Sequence, residues 1–361
     1  MSITRRQTRV LQLGRLTLGG EHPIMVQSMT NTDTRDVDAT LAQIEALEAA
    51  GCEAVRLAVP DAEAARAVWA ICRQVSLPLV ADIHFDYRLA LASLEAGVHG
   101  LRINPGNIGG PKKIQAVIDA AKAADAVIRI GVNSGSVEKK VLAKHGGPGP
   151  RAMVESALGQ IRLFEERNFS KIKLSIKSSS VLETVEAYRL LAAHCDYPLH
   201  LGVTEAGTLV RGAVKSAVGL GILLWEGIGD TLRISLTGDP VQELTVAWEL
   251  LRALGLRRRG PEIIACPTCG RTEINLPLLA EAVERRLAHE TACIKVAVMG
   301  CVVNGPGEAK EADIGLAGGR DKGSIFRKGR IVRSVRGQDA LLAAFMEELE
   351  LLLREQRVAQ G

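Results

Sequence analysis

Three things are scarce in this chain, and each scarcity removes a class of function. Aromatic residues make up 3% of it, so the core has to be built from Ala, Leu, Val and Ile within a hydrophobic content of 47%. Clustered charge is missing: 45 basic and 41 acidic residues are spread along 361 positions and leave a net charge of +4. A nucleic-acid partner calls for a concentrated basic face, and the one basic run, Arg257 to Arg259, reads as a solvated linker. Long apolar runs are missing too. The longest, Ala217 to Trp225, is far too short to span a bilayer. The charged N-terminus has no apolar stretch behind it, as a signal peptide would. The expectation is a cytoplasmic protein that uses neither membrane nor nucleic acid.

Cysteine is the residue whose placement is informative. One stretch reads Ile-Ile-Ala-Cys-Pro-Thr-Cys-Gly-Arg from Ile263, and a later one Val-Met-Gly-Cys-Val-Val-Asn-Gly-Pro-Gly-Glu from Val298. Cys266, Cys269 and Cys301 thus each follow an apolar strand-like run and precede a Gly- or Pro-rich turn. Three chemistries accommodate such thiols. A thioredoxin-like pair would use Cys266 and Cys269 alone. Structural zinc needs four N or S ligands, with Cys293 or His289 completing the set. An iron–sulfur cluster on three thiolates and one other ligand leaves one iron able to exchange what it binds. The remaining thiols, Cys52, Cys72, Cys195 and Cys293, sit on helix or strand patterns and read as buried small apolar residues. The set suits a reducing compartment better than a disulfide framework.

Upstream of these cysteines, short apolar runs alternate eight times with amphipathic ones. The strand-like runs are Ile24–Met29, Ala54–Val59, Leu79–His84, Gly100–Asn104, Val127–Asn133, Lys171–Lys177, Leu199–Glu205 and Thr231–Thr237. Helical patterns follow each, the last at Pro240–Leu254. Eight such units over about 250 residues predict a closed (β/α)8 TIM-like barrel; an open doubly wound sheet is the alternative. The boundary is expected near residue 256, with a small α/β cluster domain over 257–361. Glycines 315, 318, 319, 323 and 329 there read as tight turns.

A barrel carries its active site at the C-terminal ends of its strands. Those ends hold Arg56, then Asp82 and His84, Arg102 and Asn104, and Arg129 and Asn133. Lys173 and Lys177, His200, Thr204 and Glu205, and Arg233 and Ser235 follow. Strands buried on both faces should be almost continuously apolar, so each interior charge is a departure. Several cations in one mouth repel unless an anion lies between them, and guanidinium forks suit phosphate oxygens. A small, multiply charged phosphate or diphosphate is therefore the expected substrate, bound by arginines that act as ligands and not as structural pairs. Gly227 and Gly229 would add backbone N–H groups. Glu205 is the candidate proton donor, and His84 and Asn133 can orient a hydroxyl.

These pieces resemble one family. Val-Gln-Ser-Met-Thr-Asn-Thr-Asp-Thr from Val26, Ala-Asp-Ile-His-Phe-Asp-Tyr from Ala81, and Leu-Arg-Ile-Asn-Pro-Gly-Asn from Leu101 are similar to segments of the 4-hydroxy-3-methylbut-2-enyl diphosphate synthases. So are Ile-Arg-Ile-Gly-Val-Asn-Ser-Gly from Ile128, Leu-His-Leu-Gly-Val-Thr-Glu-Ala-Gly from Leu199, and both cysteine stretches. The likeness runs end to end and is to the compact bacterial form. It implies reductive ring opening and dehydroxylation of 2-C-methyl-D-erythritol 2,4-cyclodiphosphate. It further implies a [4Fe-4S] cluster on Cys266, Cys269, Cys301 and Glu308, with electrons from flavodoxin or a ferredoxin. On the same pattern Arg56, His84, Arg102, Arg129, Lys177, Arg233 and Ser235 bind substrate. Glu205 assists proton transfer, and Asn304, beside the cluster, contacts substrate as well. A non-redox phosphate-binding barrel with a structural zinc domain is the competing reading.

Chain length adds an expectation about assembly. The eighth helix ends at the barrel bottom after descending about 22 Å, and some eleven residues separate Gly255 from Cys266, about 40 Å when stretched. A return to the chain's own mouth would use nearly all of that. A head-to-tail homodimer, each cluster domain capping the partner's barrel, removes the difficulty.

Overall fold

The computed structural model describes residues 3–288, 290–301 and 310–360. His289, Asn304 and Glu308 lie outside them. The chain divides into two compact units, Met1–Arg257 and Arg258–Gly361.

The first unit opens with a hairpin, β1 (Leu11–Leu13) and β2 (Leu16–Leu18), that sequence patterning missed because three-residue strands carry no periodicity. Then come β3 (Met25–Met29), α1 (Val37–Ala49), β4 (Ala54–Ala58), α2 (Ala62–Cys72), β5 (Leu79–Asp82), α3 (Tyr87–Glu95) and β6 (Gly100–Ile103). A short α4 (Pro105–Ile108) precedes α5 (Pro111–Ala123) and β7 (Val127–Asn133). After α6 (Lys139–His145), also unforeseen, follow α7 (Pro150–Glu165), β8 (Ile172–Lys177), α8 (Val181–His194) and β9 (His200–Leu201). The unit closes with α9 (Leu209–Trp225), β10 (Thr231–Leu232) and α10 (Pro240–Ala253).

All eight inner strands run parallel in the order β8-β7-β6-β5-β4-β3-β10-β9. A parallel bridge between Leu174 and Leu199, with Leu174 N–H donating to Pro198 at 2.9 Å, joins the two ends of that order. The expected barrel is therefore closed. Local chemistry sets its corners: Asp36, Asp61, Asp86 and Asp239 leave strand ends and cap α1, α2, α3 and α10 with their carboxylates. The helices' inner faces pack on the strands in one apolar core of Val, Leu, Ile and Ala.

The seventh and eighth strands are shorter than patterning predicts. Regular pairing stops at Leu201 and Leu232, and the chain then turns, with Glu205 at a left-handed φ of 54°. The bottom of the barrel is plugged by Leu11, Leu13 and Leu18 of the hairpin against Met25, Ala54, Val80 and Val127. Gly227 and Gly229 belong to this lower end, not to the mouth, since a loop preceding a strand lies at the strand's start. Gly227 O accepts from Arg6 N, and a Cβ there would collide with the Thr4 carbonyl. Arg257 is no solvated linker either: it hydrogen-bonds Glu53 and the Ile24 carbonyl and lies 4.7 Å over the Trp248 ring.

The second unit is a five-stranded sheet, β11 (Glu262–Ala265), β12 (Lys295–Met299), β13 (Ile314–Ala317), β14 (Gly323–Arg327) and β15 (Arg330–Val335), in that order. The first three are parallel and the last two antiparallel. Helices α11 (Leu276–Leu287) and α12 (Gln338–Gln360) bury Leu279, Val283, Phe345 and Leu349 with Val296, Val298, Ile314 and Ile325. The glycine-rich run does more than make turns. Gly315 lies inside β13 because a side chain would collide with the Phe326 ring, and Gly323 begins β14 against Leu341. Gly329 does make a turn: with Lys328 it takes positive φ between β14 and β15. Cys293 is exposed, not buried, as it precedes β12 instead of joining it.

Candidate active site

Strand alternation sends every second residue inward, and above the hairpin plug the inward residues change character. Two positions after Met25, Ala54, Val80 and Val127 come Gln27, Arg56, Asp82 and Arg129. Register then aligns Asp82 with Arg102, Arg102 with Arg129, and Arg129 with Lys173 across β5 to β8. Like charges opposite one another on neighbouring strands destabilise a sheet. Here a cationic row crosses three strands.

A single carboxylate anchors part of it. Asp82, 5% exposed, lies 3.2 Å from Arg102 Nη1, 3.7 Å from Arg56 Nε and 3.5 Å from His84 Nε2. Burial alone would raise this carboxyl, but the His84 hydrogen bond and the charges of Arg56, Arg102 and Arg129 hold it well below the usual range. Arg233 has its own anchor, Glu243 on α10, which accepts from Nε at 3.0 Å and Nη2 at 2.9 Å. Glu243 also accepts from the Ser28 hydroxyl and the Leu236 N–H. Expecting the arginines to be ligands instead of structural pairs was therefore too simple for Arg56, Arg102 and Arg233: carboxylates hold one side of these forks. Glu243 escaped the sequence reading because an acid on an amphipathic helix looks solvated.

Among the described residues Arg129 has no such anchor. It is 2% exposed, and its Nε and Nη1 have no hydrogen-bond partner there. Burial, then the Arg56 and Arg102 charges, pushes it down; burial brings Arg56 to about 10. Lys177 is lowered by burial and by Arg129, and its ammonium lies over Gly202, where a Cβ would collide with it. Gly131 leaves similar room for Arg102, whose Nε would stand 3.1 Å from a Cβ. These two glycines are where cationic side chains cross strands.

The other expected residues take diverse places. Asn104 is buried and its side chain accepts from Gly106 N at 3.1 Å, so it shapes the turn into α4. Asn133 ends β7, and its carbonyl accepts from Ser136. Ser235 follows β10 half-buried, and His84 and Glu205 are exposed. A non-glycine residue at Glu205's φ of 54° is strained by about 1–2 kcal/mol, a cost that concentrates at functional positions.

In the second unit, Cys266 directly follows β11 and Cys301 follows β12 by two residues. These strands are parallel neighbours, and Cys266 N–H donates to Val298 at 3.0 Å, continuing the ladder. Both thiols thus leave one end of the sheet from strands about 4.8 Å apart. Cys269 is exposed, and the Arg271 backbone N–H, then the Thr272 hydroxyl and the Arg271 charge, hold its thiol below the usual value. All three are free thiols. Among the described residues, no three His, Cys, Asp or Glu side chains gather closely enough for one metal ion. No helix there is long and apolar enough to cross a membrane.

Fold and mouth define a class: a TIM-barrel protein with a cationic mouth, carrying a second α/β domain with thiols at one sheet end. Residues 8–248 match the GcpE TIM-barrel domain and 262–351 the GcpE protein C-terminal domain. The 4-hydroxy-3-methylbut-2-en-1-yl diphosphate synthase (flavodoxin) of Nitratidesulfovibrio vulgaris is 67% identical over 357 residues, 99% of this chain and 92% of that protein. Its namesake from Lawsonia intracellularis is 67% identical over 356 residues, 99% of both. Among solved structures, 3-dehydroquinate dehydratase of Geobacillus kaustophilus shares the barrel alone. It has a TM-score of 0.50 and 11% identity, over 69% of this chain and 99% of that one. The chain belongs to the GcpE family.

Proposed function

We propose that this chain is an oxidoreductase that opens 2-C-methyl-D-erythritol 2,4-cyclodiphosphate and removes one hydroxyl as water, yielding 4-hydroxy-3-methylbut-2-enyl diphosphate for isoprenoid synthesis. The observation that carries the reading is the inward row of Arg102, Arg129 and Lys173, which lacks enough carboxylate to neutralise it. A dianionic ring supplies what is missing. Arg56, Arg102 and Arg233 present forks already oriented by Asp82 and Glu243. Arg129 and Lys177 add unanchored charge, and Ser235, Asn104 and Asn133 stand at the surrounding strand ends. Glu205 at the rim donates the proton to the departing hydroxyl, and His84, tied to Asp82, orients it.

Cys266, Cys269, Cys301 and Glu308 would hold a [4Fe-4S] cluster, with Asn304 nearby. Two of the three thiols share a sheet end, and the third is biased toward thiolate, the form that binds iron. When bound, the cluster supplies electrons singly and a Lewis-acidic iron. Flavodoxin is the donor named for the relatives; it or a ferredoxin serves this cytoplasmic enzyme. A head-to-tail homodimer fits a further feature: α9 carries an exposed apolar stripe of Val210, Val214, Val218 and Trp225. Iron and sulfide analysis after anaerobic preparation tests the cofactor. The reading expects a brown protein with about four of each per chain; a colourless protein with one tightly held zinc would favour a non-redox barrel.

A further inference from the structure

One member of the cationic row has been counted above as a charge but given no role of its own. Lys173 is 1% exposed, and its Nζ has no hydrogen-bond partner among the described residues. Among the described residues no carboxylate pairs with it. The groups that face it come from every side of the barrel. Arg129 is its register partner on β7, with Arg56 on β4, Arg102 on β6 and Lys177 further along β8. Asp82 on β5 is already committed to Arg56, Arg102 and His84. His200 on β9 contacts the Thr231 hydroxyl at 2.8 Å through Nδ1, while its Nε2 is unpartnered, as are both amide atoms of Gln27. The apolar hairpin plug lies below this layer.

An ammonium buried without a partner and beside two guanidinium groups is costly, and the cheapest relief is to release its proton. A phosphate anion settling above reverses that balance. We propose that Lys173 forms the floor of the anion site and takes up one proton from solvent when an anion fills the mouth, which makes substrate binding proton-linked. The proposal rests on the reading of this mouth as a diphosphate site. No other bond changes: the proton moves from water to Nζ. In keeping with it, burial, then the Arg129 and Arg56 charges, lowers the empty-site amine to about 7. His200 is pushed far below its usual value and stays neutral.

Calorimetric titration of the whole protein, in buffers of different ionisation enthalpy, tests this. The ligands are 2-C-methyl-D-erythritol 2,4-cyclodiphosphate and trimetaphosphate, whose acidic groups stay ionised throughout. Lys177, lowered by the same burial and the same Arg129 charge, can take up a proton as well, so the Lys173 share is read as wild type minus variant. That share should be small at pH 6 and close to one proton at pH 8, steepening the loss of affinity by about tenfold per pH unit above neutrality. Lys173→Met, and Lys173→Arg if the first variant does not fold, should remove this share and its part of the slope. Wild-type binding without uptake at pH 8, or uptake undiminished in either variant, overturns the proposal. If trimetaphosphate binds with uptake while the cyclodiphosphate does not bind, the substrate assignment falls and Lys173 keeps its role. Binding of neither ligand refutes both.

Discussion

Replacing Asp82 by Asn removes the charge that anchors two arginines while nearly preserving shape. At 3.2 and 3.7 Å from Arg102 and Arg56, the carboxylate's gross attraction is about 5 kcal/mol per pair at an effective dielectric near 20. Loss of one partner from a buried ion pair costs about 3–5 kcal/mol net. Asn still accepts a hydrogen bond, and the His84 contact adds little because that ring is exposed, so about 3 kcal/mol is the fair expectation. For a unit of this size the melting temperature should drop by about 6–12 °C. The pH dependence gives a second reading. Asp82's folded carboxyl lies below its unfolded value of about 3.9, so its stabilisation is complete above that pH and fades as the pH falls through the depressed value. The gap between wild-type and variant melting temperatures should therefore begin to narrow below about pH 4. The arginine forks should also lose their aim, lowering kcat/KM at least tenfold, since each charge-assisted contact contributes about 1.5–3 kcal/mol. Thermal melts from pH 3 to 8, with steady-state kinetics, measure both. An unchanged melting temperature with normal turnover would show that the arginines hold their positions without Asp82.

Three further outcomes follow from the same geometry. Gly202→Ala should displace the Lys177 ammonium and press on the Arg233 carbonyl, 2.9 Å from the new Cβ, raising KM tenfold or more without unfolding the barrel. Circular dichroism beside kinetics would separate this from misfolding. Glu308→Gln should give a coloured protein with altered cluster spectra and little turnover, whereas wild-type spectra and activity in Glu308→Ala would remove that residue from the site. Mixing inactive Glu205→Ala with inactive Cys301→Ser should restore about a quarter of wild-type activity after subunit exchange, because half the dimers are mixed and each has one intact site. No recovery after confirmed exchange would place barrel and cluster function within one chain.

Much of the barrel was legible because βα units repeat two distinct periodicities. Strand limits agree closely wherever the backbone stays regular, as in β7. The errors arose where side-chain packing, which has no periodicity, decides. Gly315 reads as a turn from sequence because its requirement comes from Phe326, eleven residues away and adjacent only across β13 and β14. Gly227 reads as a mouth residue because its close approach to the Thr4 carbonyl shows only once the sheet closes. The cations of the site were visible as polar residues inside apolar strands. Their division into anchored and unanchored groups was not, since it depends on Asp82 facing Arg102 and on Glu243 reaching over from α10.

The central claim is reductive opening of the cyclodiphosphate, and an anaerobic single-substrate assay measures it most directly. The cluster-loaded protein is given 2-C-methyl-D-erythritol 2,4-cyclodiphosphate and a limiting amount of reduced flavodoxin, and products are counted against electrons supplied. The account predicts one 4-hydroxy-3-methylbut-2-enyl diphosphate for every two electrons and none without reductant. Product formed without reductant, or flavodoxin oxidation by the loaded enzyme with the cyclodiphosphate left intact, would contradict it.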